Sequence, residues 1–226
     1  MAEQLARRSD SIATFSAHLT HELKSPLTSI RGAAELLQDA LRDKASELSA
    51  AEQAIFIANI ISDTERLEAM ALRLRELARA ESLPQNERCE LGSLIVGLAH
   101  QFPNIRITRD GNLDREVAMS AEKAQIVLTH LTDNAIRHHA GSITFTAVDD
   151  AAPLRLTVSN DGDAISPANR AKIFDAFFTT RRDAGGTGMG LAIVRAVMES
   201  HGGTIALLPD TPDTNGVTFE LEFPAT

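Results

Sequence analysis

Cysteine occurs once in 226 residues, at Cys89, so no internal disulfide can brace the fold and a reducing compartment is the natural setting. Tryptophan and tyrosine are absent, leaving nine phenylalanines as the aromatic complement. A core must then rest on Leu, Ile, Val and Ala, which suits helices packed through small residues. No run of roughly 18 apolar residues occurs, so no helix of this sequence is expected to span a bilayer. The first residues alternate charged and small side chains without an apolar stretch, so no secretory leader is expected either. Positive charge is also short: 22 Lys and Arg against 31 Asp and Glu give a formal charge of −9, which argues against nucleic acid as a partner. What is present suffices for a core. The apolar fraction is 43%, and the length fits one large domain or two ordinary ones. A soluble, cytoplasmic module is the expectation.

Apolar residues from Leu5 to Arg42 recur in steps of three or four: Ile12, Phe15, Leu19, Leu23, Leu27, Ile30, Ala34, Leu37, Leu41. That is one helical stripe. The stripe lapses over Asp43 to Ala51 and resumes with Ile57, Ile60, Ile61, Thr64, Leu67, Ala71 and Leu74. Two such helices make an antiparallel hairpin with little inside one chain to cover its stripes. A second copy would complete a four-helix bundle, so residues 1–83 read as a dimerisation hairpin. Leu83-Pro84-Gln85-Asn86-Glu87 is a polar, proline-containing boundary. Beyond it, residues 84–226 alternate short strands with helices. A short helix is expected near Leu94–Leu98, strands at Ile105–Thr108 and Glu116–Met119, and a helix over Ala121–Ala140 capped by Ser120. Strands follow at Ser142–Val148 and Leu154–Ser159, a helix at Met189–Ser200, and closing strands at Thr204–Leu208 and Val217–Phe223. The class is α+β: a helical hairpin followed by an α/β sandwich.

Four constellations carry chemistry. His21 lies two residues from both Leu19 and Leu23, about 200° around the helix, and so faces outward. A neutral imidazole is a good nucleophile near neutral pH, and Glu22 can take or orient its second proton. Alone, the pair reads rather as a solvated surface histidine beside a charge. Pro26, one turn on, removes a helical hydrogen bond and bends the helix at a cost of about 3 kcal/mol, which favours a functional use of the bend. Next, Gly186-Thr187-Gly188-Met189-Gly190-Leu191 opens a helix and lets backbone N–H groups approach phosphate. No strand leads directly into it and no Gly-Lys-Ser/Thr ending follows, so neither a dinucleotide fold nor a P-loop is indicated. Third, Asn134 and Arg137 share a helix face, where the amide oxygen suits Mg²⁺ and the guanidinium suits phosphate. Fourth, Val158-Ser159-Asn160-Asp161-Gly162-Asp163-Ala164-Ile165 ends a strand in a turn whose polar groups can meet a nucleobase. Each of the last three, taken singly, is also an ordinary turn or a solvated face.

In this order, with Ile173 to Arg181 between the last two, the constellations resemble the two-component sensor histidine kinases. His21 to Leu27 is similar to that family's H box, Leu131 to His138 to its N box, and Asn160 to Ile165 to its G1 box. Ile173 to Phe178 matches its F box, and Gly186 to Gly190 its G2 box. The resemblance implies a dimerisation and phosphoacceptor domain of the HisKA type over 1–83 and an ATP-binding domain of the Bergerat fold over 84–226. It implies a homodimeric, ATP-dependent protein-histidine kinase that phosphorylates His21 with Mg²⁺ and passes the phosphoryl group to a response-regulator receiver domain. The chain would then be cytoplasmic, or the cytoplasmic part of a membrane-anchored sensor. His21, Glu22 and Ser25 would be catalytic, Ser25 assisting removal of phosphate from the regulator. Nucleotide would be bound by His130, Asn134, Arg137, His138, Asn160, Gly162, Ile165, Arg181, Arg182, Gly186, Thr187, Gly188, Gly190, Leu191 and Thr218, with Asn134 on the metal. The segment from Ser166 to Thr187 would act as a lid. This sequence departs from the family pattern at His130, where an asparagine is usual, at Asn160, where an aspartate is usual, and at Ala164, where a glycine is usual. Those departures leave two alternatives: a dimeric scaffold with a degraded nucleotide site, and a different ATPase of the same nucleotide fold.

Overall fold

The computed structural model describes residues 2–42, 48–80, 87–148, 153–181, 186–209 and 216–223, with the side chains of the first helix described from Leu19 onward. The expected boundary at Leu83-Pro84, the lid residue Arg182 and Asp43 to Glu47 in the hairpin connection lie outside these residues. Two compact units emerge, 1–72 with 181–187 and 73–180 with 188–226.

The first unit is built on α1 (Ala2–Arg42) and the first part of α2 (Ala50–Ala80). Pro26 lies inside α1 without ending it, and its missing N–H leaves the Glu22 carbonyl without its usual donor one turn on. Glu22, Pro26 and Ala33 are buried along one line of the helix, whereas Leu27, Leu36 and Leu41 of the apolar surface stand open. The line buried within a single chain is thus narrower than the apolar stripe and rotated from it. The start of α2 is fixed by a reciprocal cap. The Glu52 N–H donates to Ser49 Oγ at 3.3 Å, while Ser49 N–H and Oγ–H donate to Glu52 Oε2 at 2.8 and 2.7 Å. Those bonds hold the Glu52 carboxyl below its ordinary range.

The second unit runs β1 (Cys89–Glu90), α3 (Leu91–Gln101), β2 (Arg106–Asp110), β3 (Glu116–Val117), α4 (Ala121–Arg137), β4 (Ser142–Ala147), β5 (Arg155–Asn160), α5 (Gly190–Ser200), β6 (Thr204–Leu207) and β7 (Val217–Glu222). Every element expected from the sequence is present, within a few residues at its ends. The pairing of β1 with β3 was not anticipated, being two residues long and without alternation. The main sheet has the order β2-β4-β5-β7-β6, antiparallel throughout except for β2 against β4. Strict alternation of burial in β4 and β5 gives the sheet one covered face, carrying Ile143, Phe145, Leu156, Val158, Phe219 and Leu221. Leu128 and Leu131 of α4 and Ile193 and Val197 of α5 are buried with them, which makes an α/β sandwich. α4 begins as expected: Ser120 Oγ accepts from Lys123 N–H at 3.3 Å. Burial pushes the Cys89 thiol up to about 11, so it stays protonated and inert near neutral pH. Among the described residues no helix is long and apolar enough to cross a membrane.

Candidate functional site

His21 is exposed on α1, as its angular distance from Leu19 and Leu23 requires. Glu22, next to it, turns inward. Its Oε2 lies 3.4 Å from Arg66 Nη2 on α2, with the carboxylate side chain 8% and the guanidinium 21% exposed. A carboxylate buried so deeply needs such a partner, because an unpaired buried charge is costly. Ser25 is exposed one turn after His21, and near it Thr28 Oγ1–H donates to the Lys24 carbonyl at 2.8 Å. These residues make a solvent-facing imidazole next to an acid that turns inward onto a guanidinium.

In the second unit the N-box helix α4 presents His130, Asn134, Arg137 and its C-cap residue His138. Asn134 is half-buried, and its amide is bonded to nothing among the described residues. A hard, uncommitted amide oxygen fits Mg²⁺, which takes few protein ligands and keeps waters and substrate phosphates. Among the described residues no group of three or more His, Cys, Asp or Glu side chains is placed to hold a metal. The donor set thus suits an ion that arrives with a nucleotide.

His130 is almost fully buried, at 2% exposure, and is engaged with the end of α2. Arg73 Nη1 lies 2.6 Å from its Nδ1 and 3.0 Å from its Nε2, and Glu76 Oε2 lies 3.0 Å from Nε2. A guanidinium only donates and a carboxylate only accepts, so Nδ1 is the acceptor and Nε2 carries the proton. Arg73 also reaches Glu76 at 3.2 Å and Asp133 at 3.2 Å, and Asp133 accepts from Arg137 Nε at 2.9 Å. The His130 hydrogen bond holds the Glu76 carboxyl below its usual range, with the nearby charge of Arg73 acting in the same direction. Arg73 and Glu76 were missed in the sequence, although their i, i+3 spacing is a readable helical pair. A Cβ built on Gly190 would meet His130 Nδ1 at 3.7 Å, so the N box lies beside the helix opened by the second glycine box.

Two glycines are required by geometry. Gly188 has φ +66° and would drive a Cβ to 2.4 Å from the Phe177 carbonyl carbon, where Phe177 itself is held at φ +66°. Gly162 would place a Cβ 2.4 Å from the His138 carbonyl oxygen, and Asp163 N–H donates to that oxygen at 2.8 Å. The first glycine box is therefore folded onto the C-cap of α4, bringing Asn160, Gly162 and His138 together. Ile165 follows half-buried, and Leu191 is half-buried in the first turn of α5. Thr218 is not brought to Asn160. Val217 is the residue paired with Asn160, and alternation puts Thr218 on the opposite face, where its hydroxyl meets Ser159 Oγ at 3.0 Å. Gly186 N–H donates to the Arg181 carbonyl at 3.0 Å, and both residues group with Thr187 in the first unit.

Residues 11–83 match the His Kinase A (phospho-acceptor) domain, and residues 119–226 match the histidine kinase-, DNA gyrase B- and HSP90-like ATPase domain. The catalytic domain of the histidine kinase ThkA is 32% identical, spans 63% of this chain and 97% of its own, and superposes with a TM-score of 0.55. The chain belongs to the two-component sensor histidine kinases. ThkA in complex with the response regulator TrrA is 27% identical over 97% of this kinase chain and 64% of that one, with a TM-score of 0.72. The sensor protein IrlS of Burkholderia pseudomallei is 29% identical over 95% of the chain and 47% of its own length. The chain thus spans about half the length of that curated relative.

Proposed function

We propose that this chain is an ATP-dependent kinase core that phosphorylates itself on His21. A ring nitrogen of His21 attacks the γ-phosphorus, the bond to the bridging β,γ-oxygen breaks, and ADP leaves. The phosphoryl group then passes to a carboxylate oxygen of an aspartate on a response-regulator receiver domain, the kind of partner with which ThkA was crystallised. Glu22, ion-paired with Arg66 and turned inward, would have to swing toward the ring to take or orient its second proton. Asn134 would hold Mg²⁺, which would neutralise phosphate charge, and Arg137, His138 and the glycines of the second box position the triphosphate. Residues 1–83 serve as the dimerisation and phosphoacceptor domain and residues 84–226 as the catalytic domain, working as a homodimer in the cytoplasm, free or as the cytoplasmic part of a membrane-anchored sensor.

The observation that carries this reading is the exposed imidazole of His21 inside the segment matched to the phosphoacceptor domain. Incubation with γ-labelled ATP and Mg²⁺ should leave acid-labile label on the chain. His21→Ala should remove it while nucleotide affinity stays within a few-fold. Full labelling of that variant would overturn the assignment.

A further inference from the structure

Successive residues of an α-helix stand about 100° apart and do not face each other, so an acid next to a histidine in sequence is not thereby beside it in space. Here the two are drawn apart. His21 is exposed, whereas the Glu22 side chain is 8% exposed and its Oε2 lies 3.4 Å from Arg66 Nη2. That contact is long for a charge-assisted hydrogen bond, where about 2.7–2.9 Å is usual. Arg66 Nε is buried with no hydrogen-bond partner, and a buried donor left unmade is costly. Pro26 supplies no N–H to the Glu22 carbonyl, so the backbone of this turn is held by one bond fewer. The guanidinium side chain is 21% exposed, so Glu22 can leave it without stranding a fully buried charge. The pair is closed but poorly locked.

Building on the reading of His21 as phosphoacceptor, we propose that Arg66 is a positioning residue that holds Glu22 away from the imidazole, and that phosphorylation of His21 proceeds from chains in which the carboxylate has left Arg66 for the ring N–H. Attack through one ring nitrogen forms the N–P bond, the bond to the bridging β,γ-oxygen breaks, and ADP takes the electron pair. The ring is left cationic. A carboxylate at its other N–H holds that proton and neutralises the charge. Paired inward with Arg66, Glu22 does neither. The rate is then scaled down by the fraction of chains that are open, as for any reaction confined to a minor conformer.

Initial rates of acid-labile labelling of the full chain with γ-labelled ATP and Mg²⁺ test this. Arg66→Met keeps an apolar stem and removes the charge, so the buried carboxylate loses its partner and turns out to water beside His21. Turnover should rise roughly fivefold or more, with KM for ATP within about twofold of wild type. Arg66→Gln, polar but uncharged, should show the same rise, which separates it from a packing effect of methionine. Arg66→Lys, which restores the charge, should undo most of it. In a Glu22→Gln background Arg66→Met should give no rise, because no carboxylate is there to release. NMR titration of the His21 imidazole supplies a readout that needs no turnover. A carboxylate beside the ring favours its charged form, so the midpoint should lie higher in Arg66→Met than in wild type and fall back when Glu22→Gln is added. Turnover of Arg66→Met at or below the wild-type level, or an equal rise in the Glu22→Gln background, would overturn the inference. If His21 takes no label in any of these proteins, the kinase reading falls, and an unmoved His21 midpoint would overturn the role of Arg66 separately.

Discussion

In the hairpin unit Pro26, Ala33 and Met70 are the buried apolar side chains among the described residues, while Leu27, Leu36, Leu41, Ile55, Ile57, Ile61 and Leu72 stand exposed. In the sandwich unit the balance is reversed: Val96 and Val148 are the exposed large apolar residues, against a continuous buried set from Leu91 to Phe223. The sandwich has a sheet face and helices to cover it, so its strands hide every second residue from water. The hairpin has two stripes and only each other. Contiguous exposed apolar surface of that kind marks an interaction face. The same chain thus contains one unit that completes its core alone and one that leaves an apolar face open, with His21 on the open one.

The strongest way to break this contrast is to charge the open stripe. Ile57→Glu with Ile61→Glu in the full chain should dissociate the homodimer, because burying the exposed half of each isoleucine is worth about 1 kcal/mol and a homodimer would bury each twice. Together they should raise the dimer dissociation constant roughly 100-fold or more. Sedimentation of an unchanged dimer at micromolar concentration would show that the exposed stripe is not the interface. Nucleotide affinity, a property of the sandwich, should remain within a few-fold.

The complementary change falls on the self-sufficient unit. Phe219 is 1% exposed in the central region of the sheet and meets Phe174 edge-on with ring centroids 6.2 Å apart. Phe219→Ala should cost the sandwich about 3–5 kcal/mol. Its unfolding transition should move to lower temperature by calorimetry while the dimer persists. Loss of both together would mean that the two units do not unfold independently.

The sequence made the same contrast readable, but unevenly. The strands of the sandwich could be read from alternation, since Ile143, Phe145, Leu156 and Val158 are both the apolar positions and the buried ones. In α1 the period is readable, while Glu22 and Pro26 on the line covered within one chain are not, and Leu27 of the apolar stripe stands open as a stripe without a cover inside one chain should. Periodicity shows that a helix has a face; it does not say whether that face meets its own chain or another. The glycine boxes and the N box stood out because phosphate and metal chemistry demands particular residue types. The Arg66 partner of Glu22 and the Arg73 partner of His130 did not, because 44 and 57 residues separate the partners and nothing local encodes the meeting. Thr218 shows the limit within a strand: a shift of one residue moves a side chain to the other face.

A smaller effect separates the units by pH. The folded state holds the Glu76 carboxyl below its ordinary value of 4.5, chiefly through the hydrogen bond from His130. A lowered carboxyl stabilises the folded form fully above that ordinary value, and the contribution is lost as pH falls through the folded value. Between about pH 6 and about pH 3 the sandwich transition of Glu76→Gln should therefore fall less steeply than that of the wild type. Parallel slopes in the two proteins would remove Glu76 from the acid response.

The smallest expected effect is at Ser25, which bears on what the hairpin does besides accept the phosphoryl group. Ser25 is exposed one helical turn beyond the exposed His21 and so shares its face. A hydroxyl there can hold a water in line with a phosphoaspartate docked against the helix. The residue also precedes Pro26, where a small side chain simply suits the helix, so the two roles must be told apart by consequence. If the hydroxyl positions water, Ser25→Ala should phosphorylate His21 at the normal rate while dephosphorylation of the regulator slows by roughly the 10²-fold or more that positioned proton-transfer groups supply. A serine chosen only for its size leaves both rates unchanged. Equal decay of the phosphorylated regulator with wild type and Ser25→Ala would assign the hairpin to phosphoryl acceptance alone.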